Sequence, residues 1–147
     1  MLKFHPLKPD ELALLHWQEQ PLAKIMPADF DPERSLKNGN LLLTIFDEAR
    51  PVGLLEMRAE PIDGKPRCAL IEHTVLLPDY RRHGLGRMLT AIAASTAADR
   101  SIWFLAARIP ETEEGKRFAE AMHFRMTEWY PDLLLLDLSD VEGMRHG

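Results

Sequence analysis

The sequence predicts a mixed α/β (α+β) domain in which a central sheet of about six to seven strands is flanked by helices. Three observations point there. Apolar runs of strand length come first as hairpins and then alternate with segments of helical period. The 147 residues suit one hydrophobic core rather than two. The apolar run ending at Leu77 passes through a short basic turn with two glycines straight into a helix-period segment, as a strand–turn–helix junction does.

In chain order, Leu2 to Leu7 reads as a first strand. Pro9 at a helix start, with Asp10 and Glu11 favouring its positive end, opens a helix that turns Leu12, Leu15 and Trp17 inward and ends near Pro21. Asp31-Pro32-Glu33 supplies an N-cap, a first-turn proline and an acid for a short second helix, which Asn38-Gly39 stops. Leu41 to Phe46 and Val52 to Ala59 form a hairpin around Asp47 to Pro51, and Pro61 to Pro66, with Asp63-Gly64, makes the next turn. Ala69 to Leu77 is apolar on both faces and belongs at the centre of the sheet. Leu85, Met88, Leu89 and Ile92 recur at helical spacing, so a helix runs to about Asp99. Ser101 to Ala107 is a further strand with Trp103 buried inside it. Thr112, followed by Glu113 and Glu114, caps a helix whose Phe118 and Met122 face inward. Phe124 to Tyr130 and Leu133 to Leu138 close the sheet around Pro131-Asp132. The reading is one domain over 1–147, with its core at about 2–138 and a polar tail at 139–147.

Composition narrows the function classes. Hydrophobic residues at 46% and charged residues at 28% describe a globular chain rather than a disordered one. A net charge of −5 and a pI near 5.7 argue against a nucleic-acid partner. Cys68 is the only cysteine, so neither an intrachain disulfide nor a Cys-rich metal site is expected, and no metal ligand set stands out. The start Met1-Leu2-Lys3-Phe4-His5-Pro6 lacks the apolar core of a signal peptide, and no apolar run approaches the roughly 18 residues of a membrane span. A cytoplasmic location without membrane partners is the default expectation; a homodimer is left open.

Against the acidic background, Arg81, Arg82 and Arg87 crowd a turn that also holds His83, Gly84, Leu85 and Gly86. A helix start leaves its first N–H groups without partners and carries partial positive charge, so it favours anions. Gly84 and Gly86 allow close backbone approach, and the natural guest is a phosphate or pyrophosphate. The bland alternative is a turn of mere chain geometry with solvated arginines. A dinucleotide fold would need a third glycine at fixed spacing, and a phosphate loop of nucleoside triphosphatases a lysine after the second glycine; neither pattern is here.

Arg81-Arg82-His83-Gly84-Leu85-Gly86 resembles the (Gln/Arg)-x-x-Gly-x-(Gly/Ala) pyrophosphate motif of the GCN5-related N-acetyltransferase (GNAT) superfamily. Pro78-Asp79-Tyr80 before it, Arg87-Met88-Leu89 after it, the hairpin at Arg50-Pro51-Val52-Gly53 and the His123-Phe124 pair extend the likeness over about residues 2 to 138. The resemblance implies acetyl-CoA as acyl donor. Its pyrophosphate would sit on Arg82 through Arg87, with Arg81 fixing the turn, and its pantetheine arm would pair with Thr74, Val75 and Leu76. It further implies an amine-bearing acceptor, a small molecule or a protein, attacking the thioester directly. The alternative is a catalytically weak CoA-binding domain acting through a macromolecular partner.

The chain departs from the family's habits where catalysis would sit. The fifth-strand carboxylate position falls near Ala106, the tyrosine of the last helix near Ala119, and the usual Gly-Phe reads His123-Phe124. Glu72, within an otherwise apolar strand and on the side of Leu70, Thr74 and Leu76, is the best remaining base; its alternative is a salt-bridged carboxylate. Tyr130 is the candidate acid. His73 points to the opposite face as a packed, hydrogen-bonded histidine, and Glu56, Glu60, Asp63, Glu128 and Asp132 either bias the acceptor side towards cationic amines or form a solvated acidic surface.

Overall fold

The first four strand-length apolar runs pair antiparallel in chain order; a tight turn joins the second to the third, while three helices separate the first from the second. In the computed structural model, which describes residues 1–58, 68–128 and 132–139, they are β1 (Leu2–Pro6), β2 (Leu41–Asp47), β3 (Arg50–Met57) and β4 (Cys68–Leu76). With β5 (Phe104–Arg108), β6 (Arg125–Met126) and β7 (Leu133–Asp137) they form a seven-stranded sheet in the order β1-β2-β3-β4-β5-β7-β6. Among the described strands only β4 and β5 run parallel, and α4 (Leu85–Asp99) makes the crossover between them. The other helices are α1 (Pro9–Leu15), α2 (Pro21–Ile25), α3 (Pro32–Lys37) and α5 (Glu113–Ala121).

The main core gathers strand residues such as Leu43, Ile45, Leu54, Leu55 and Met57 with Leu85, Leu89, Ala93, Ala94 and Ala97 of α4 in one buried cluster. The alanines along α4 let its axis come close to the sheet. Cys68 and Leu70 alternate with Ala69 and Ile71 and therefore point to the other face, where a smaller cluster gathers Ala106, Leu133 and Leu135.

Four local readings change. His16 takes a left-handed conformation (φ 53°) and ends α1 early; a 3-10 turn follows at Trp17–Glu19, and Pro21 begins α2 instead of closing one long helix. A proline that stops one helix is equally suited to the first turn of the next. Ser101 (φ 62°) continues the wrap at the end of α4, with Ile102 N–H donating to the Ala97 carbonyl at 3.0 Å, so β5 starts only at Phe104. Trp103 consequently lies outside the strand and is 59% exposed rather than buried. On α5 it is Ala119 that turns inward, Phe118 is exposed, and Met122 follows the helix, half-buried against the core.

Thr112 caps α5 by accepting from the Gly115 N–H at 3.0 Å, as its sequence suggested. His123 supplies the left-handed residue (φ 70°) after it, with Phe124 N–H donating to the Ala119 carbonyl at 3.0 Å. The Pro61 to Pro66 turn, Glu60, Asp63, Trp129, Tyr130 and the chain beyond Ser139 lie outside the described residues.

Candidate active site

The central strands part where the site begins. β4 and β5 pair from Cys68↔Phe104 to Ile71↔Ala107, yet β4 continues to Leu76. Among the described strands, Glu72 to Leu76 therefore has a neighbour on the β3 side only. At about 3.3 Å per residue this leaves roughly 16 Å of strand edge with hydrogen-bonding groups to offer.

The chain beyond that edge is pinned. Leu77 N–H donates to the Val52 carbonyl at 2.8 Å, and the Tyr80 hydroxyl donates to the Asp47 carboxylate while accepting from Arg50 Nη2 at 3.1 Å. Arg81 Nε donates to the Leu76 carbonyl at 3.1 Å, tying the turn back to the end of β4. Arg82 (φ 65°) and Gly84 (φ 78°) are both left-handed, which curls the turn before α4. An arginine there goes against the usual preference for glycine, and its sequence gave no sign of it. Gly84 is the N-cap of α4 without a side-chain cap, and the first bond is Met88 N–H to the Gly84 carbonyl at 3.1 Å. The first-turn amides are thereby left to a ligand.

A cleft of about 840 Å³ joins these features. Thr74, Val75, Leu76, Arg81, Arg82, Gly84, Leu85, Gly86 and Arg87 line it; His83, the remaining residue expected there, does not. Ile25, Thr112, Gly115 and Phe118 form further wall that sequence reasoning missed, because only folding brings α2 and α5 to this edge. A Cβ on Gly86 would meet Phe118 at 3.7 Å, an ordinary contact, so the fold tolerates a side chain there and the bare backbone serves the cleft.

A cavity of about 290 Å³ shares Thr74, Gly115 and Phe118 with this cleft and reaches Glu72 and His73. Those two residues also line a polar pocket of about 600 Å³ with Asp29, Phe30, Arg34, Ser35, Glu56 and Arg58. Strict alternation had put Glu72 and His73 on opposite faces. Instead Glu56 pairs with His73 and Met57 with Ile71, so Glu72 is the extra residue of a β-bulge and both side chains reach the same pocket.

Two of the carboxylates there, Glu72 and Glu56, are held differently. Glu72 accepts from Arg58 Nη2 at 2.8 Å and from Arg108 Nη2 at 3.0 Å, one guanidinium for each oxygen. Glu56 is 7% exposed; its Oε1 lies 2.7 Å from His73 Nδ1 and its Oε2 accepts from the Ser35 hydroxyl. Asn40 Nδ2 donates to that hydroxyl at 3.1 Å, and Phe30 sets its ring edgewise to His73 with centroids 5.8 Å apart. Glu56 stands inside the apolar run Val52–Met57, the same signal that singled out Glu72, whereas Ser35 and Asn40 carry no sequence signal of their own. Ala106 is fully buried and Ala119 nearly so, leaving both of those positions without a titratable group. Tyr130 lies outside the described residues. Burial pushes the Cys68 thiol up, so it stays protonated.

A sheet that splays beside a helix start without a side-chain cap is an arrangement suited to an extended ligand with an anionic head. The sequence matches the model of the acetyltransferase (GNAT) family over residues 10–124, and the chain belongs to that family. Among solved structures it is similar to the toxin AtaT in the DNA-bound AtaT–AtaR complex, with a TM-score of 0.76 at 13% identity over 97% of this chain and 99% of that one. An AtaT mutant bound to the C-terminus of the antitoxin AtaR and acetyl-CoA gives 0.74 at 14% identity, covering 100% and 99%. The ribosomal-protein-S18-alanine N-acetyltransferase from Escherichia coli gives 0.70 at 16% identity, covering 94% of each chain. At these identities the likeness is one of fold. No curated protein matches the sequence.

Acetyl-CoA is the family's acyl donor, and the residues present fit it. The free amides and three arginines suit a pyrophosphate, and the unpaired edge of β4 suits the two amides of a pantetheine arm.

Proposed function

We propose that this chain is an N-acetyltransferase that passes an acetyl group from acetyl-CoA to a primary amine, which attacks the thioester directly. The observation that carries the reading is a series of three cavities that share lining residues: the cleft at the start of α4, the small cavity past Thr74, and the polar pocket at Glu72 and His73. Donor and acceptor can enter from opposite sides of β4 and meet where it leaves β5.

Bound acetyl-CoA supplies a thioester whose carbonyl carbon accepts a nucleophile. The chain's own contributions are positional and electrostatic. Amides from Leu85 to Arg87, with the guanidinium groups of Arg81, Arg82 and Arg87, hold the anionic end. The free edge of β4 from Thr74 to Leu76 aligns the arm, and an N–H at its inner end polarises the carbonyl. A primary amine of pKa about 10 is neutral in roughly one molecule per thousand at pH 7, so a proton acceptor near the junction is needed. Glu72, the base suggested by sequence, has an arginine on each oxygen and would have to give up an ion pair to take a proton. Its placement suits a clamp between the ends of β3 and β5.

The test is a panel of primary amines (spermidine, tyramine, L-lysine and an alanine-terminated peptide) incubated with acetyl-CoA while free CoA thiol is followed. Amine-dependent thiol release supports the reading. Release no faster than without amine, from protein that binds acetyl-CoA, would favour the alternative of a catalytically weak CoA-binding domain.

A further inference from the structure

We propose that His73, oriented by Glu56 and Ser35, is the group that takes the proton from the acceptor amine, and that the polar pocket it lines is the amine's site. This rests on the transferase reading above.

The argument starts from burial. A carboxylate as enclosed as that of Glu56 is costly unless its lone pairs are used. Here one oxygen meets His73 Nδ1 at 2.7 Å and the other accepts from Ser35, itself held by Asn40 at 3.1 Å. A carboxylate at Nδ1 places the N–H there and makes Nε2 the ring's acceptor nitrogen. Among the described residues Nε2 has no protein partner. The imidazole is about a quarter exposed, lines the pocket, and also lines the cavity leading to the donor cleft. The arrangement is base, orienting carboxylate and a hydroxyl fixing that carboxylate, each on a different element: β4, β3 and α3.

The charges around His73 are Glu56 on β3 and Arg58 just after it, Glu72 beside it, Arg108 on β5, and Asp29, Asp31 and Arg34 from α3 and the loop before it. Glu72 is paired with Arg58 and Arg108, and in all, four carboxylates face three guanidinium groups, an acidic excess of one that suits an amine arriving as its ammonium ion. The step balances as follows. The ammonium nitrogen loses one proton to His73 Nε2, which later releases it to solvent. The C–N bond forms as the C–S bond breaks, and the nitrogen's second displaced proton ends on the CoA sulfur. Glu56 and Ser35 are positioning residues: they act through the ring.

The experiment measures kcat/KM against pH for wild type, H73Q, E56Q, S35A and E72Q with the fastest amine of the panel, alongside acetyl-CoA affinity by calorimetry. H73Q is expected to lose about 10²–10⁴-fold in kcat/KM with acetyl-CoA affinity unchanged. E56Q, which removes the anion beside Nδ1, should move the ascending limb to lower pH, and S35A, which leaves that carboxylate in place, should move it by less. In wild type, the value governing that limb should equal the titration midpoint of His73 read by NMR, a comparison that needs no variant. Turnover and profile that survive H73Q, a loss reproduced by E72Q alone, or a limb that does not track His73, each overturn the inference while leaving the transferase reading intact. No amine-dependent turnover by wild type overturns the transferase reading and this inference together.

Discussion

Gly84 and Gly86 sit two residues apart at the start of α4, and substitution separates their roles. Gly84 is left-handed at φ 78° with open space where a Cβ would go, so G84A strains the backbone alone. The expected cost is about 1–2 kcal/mol, a fall in Tm of roughly 2–8 °C for a chain of this size, read by thermal denaturation. G86A meets only an ordinary contact with Phe118, so its Tm should match wild type while its affinity for acetyl-CoA falls. Equal affinity for both variants and wild type would remove the turn from the binding site. Cys68 offers a second residue-scale check. It is buried and its thiol is pushed up, so iodoacetamide at pH 8 should label the native protein far more slowly than the denatured one. The same residues show what sequence could say about the site. The glycines and arginines of the turn act through the chain next to them, so their chemistry was legible. Glu56 and Glu72 looked alike in sequence, each an acid in an apolar run. What separates them is the partner each meets across the sheet: His73 and Ser35 for one, two arginines for the other.

At the scale of single elements, local signals held where a few neighbouring residues decide the outcome. Asp31 caps α3 through the Glu33 and Arg34 amides, and Thr112 caps α5 through Gly115. T112A should cost about 1 kcal/mol, lowering Tm by roughly 2–4 °C, and should also weaken acetyl-CoA binding because Thr112 lines the donor cleft. An unchanged Tm in denaturation would show that the cap adds nothing. Signals failed where competing local choices are close in energy. Residues 9–25 became two helices and a 3-10 turn because His16 adopted the left-handed conformation and Pro21 started a new turn. Ser101 and Ile102 went to the end of α4 rather than to β5, since closing that helix used their N–H groups. The bulge at Glu72 was out of reach altogether: it arises from the register between β3 and β4, a long-range property with no mark in either strand's sequence.

On the scale of the whole molecule, the order of elements was readable because hydrophobic period and turn residues set it. The parting of β4 from β5 was not, since it depends on where a parallel pair separated by α4 stops matching. That parting bares a strand edge next to the start of α4, and the proposed donor site rests on it. The protein carries a net charge of −5, so its three exposed arginines at the turn form a local field against an acidic background. Acetyl-CoA affinity should therefore weaken as salt rises from 0.05 to 0.5 M, because the screening length of exposed charges shortens from about 14 Å to about 4 Å over that range. The most direct test is calorimetric titration of acetyl-CoA into wild-type protein and the G86E variant, with circular dichroism to show that both are folded. Wild type should bind one equivalent, and G86E, with a carboxylate placed in the anion cradle, should bind none. No binding by wild type, or equal binding by folded G86E, would contradict the assignment of this cleft as the donor site.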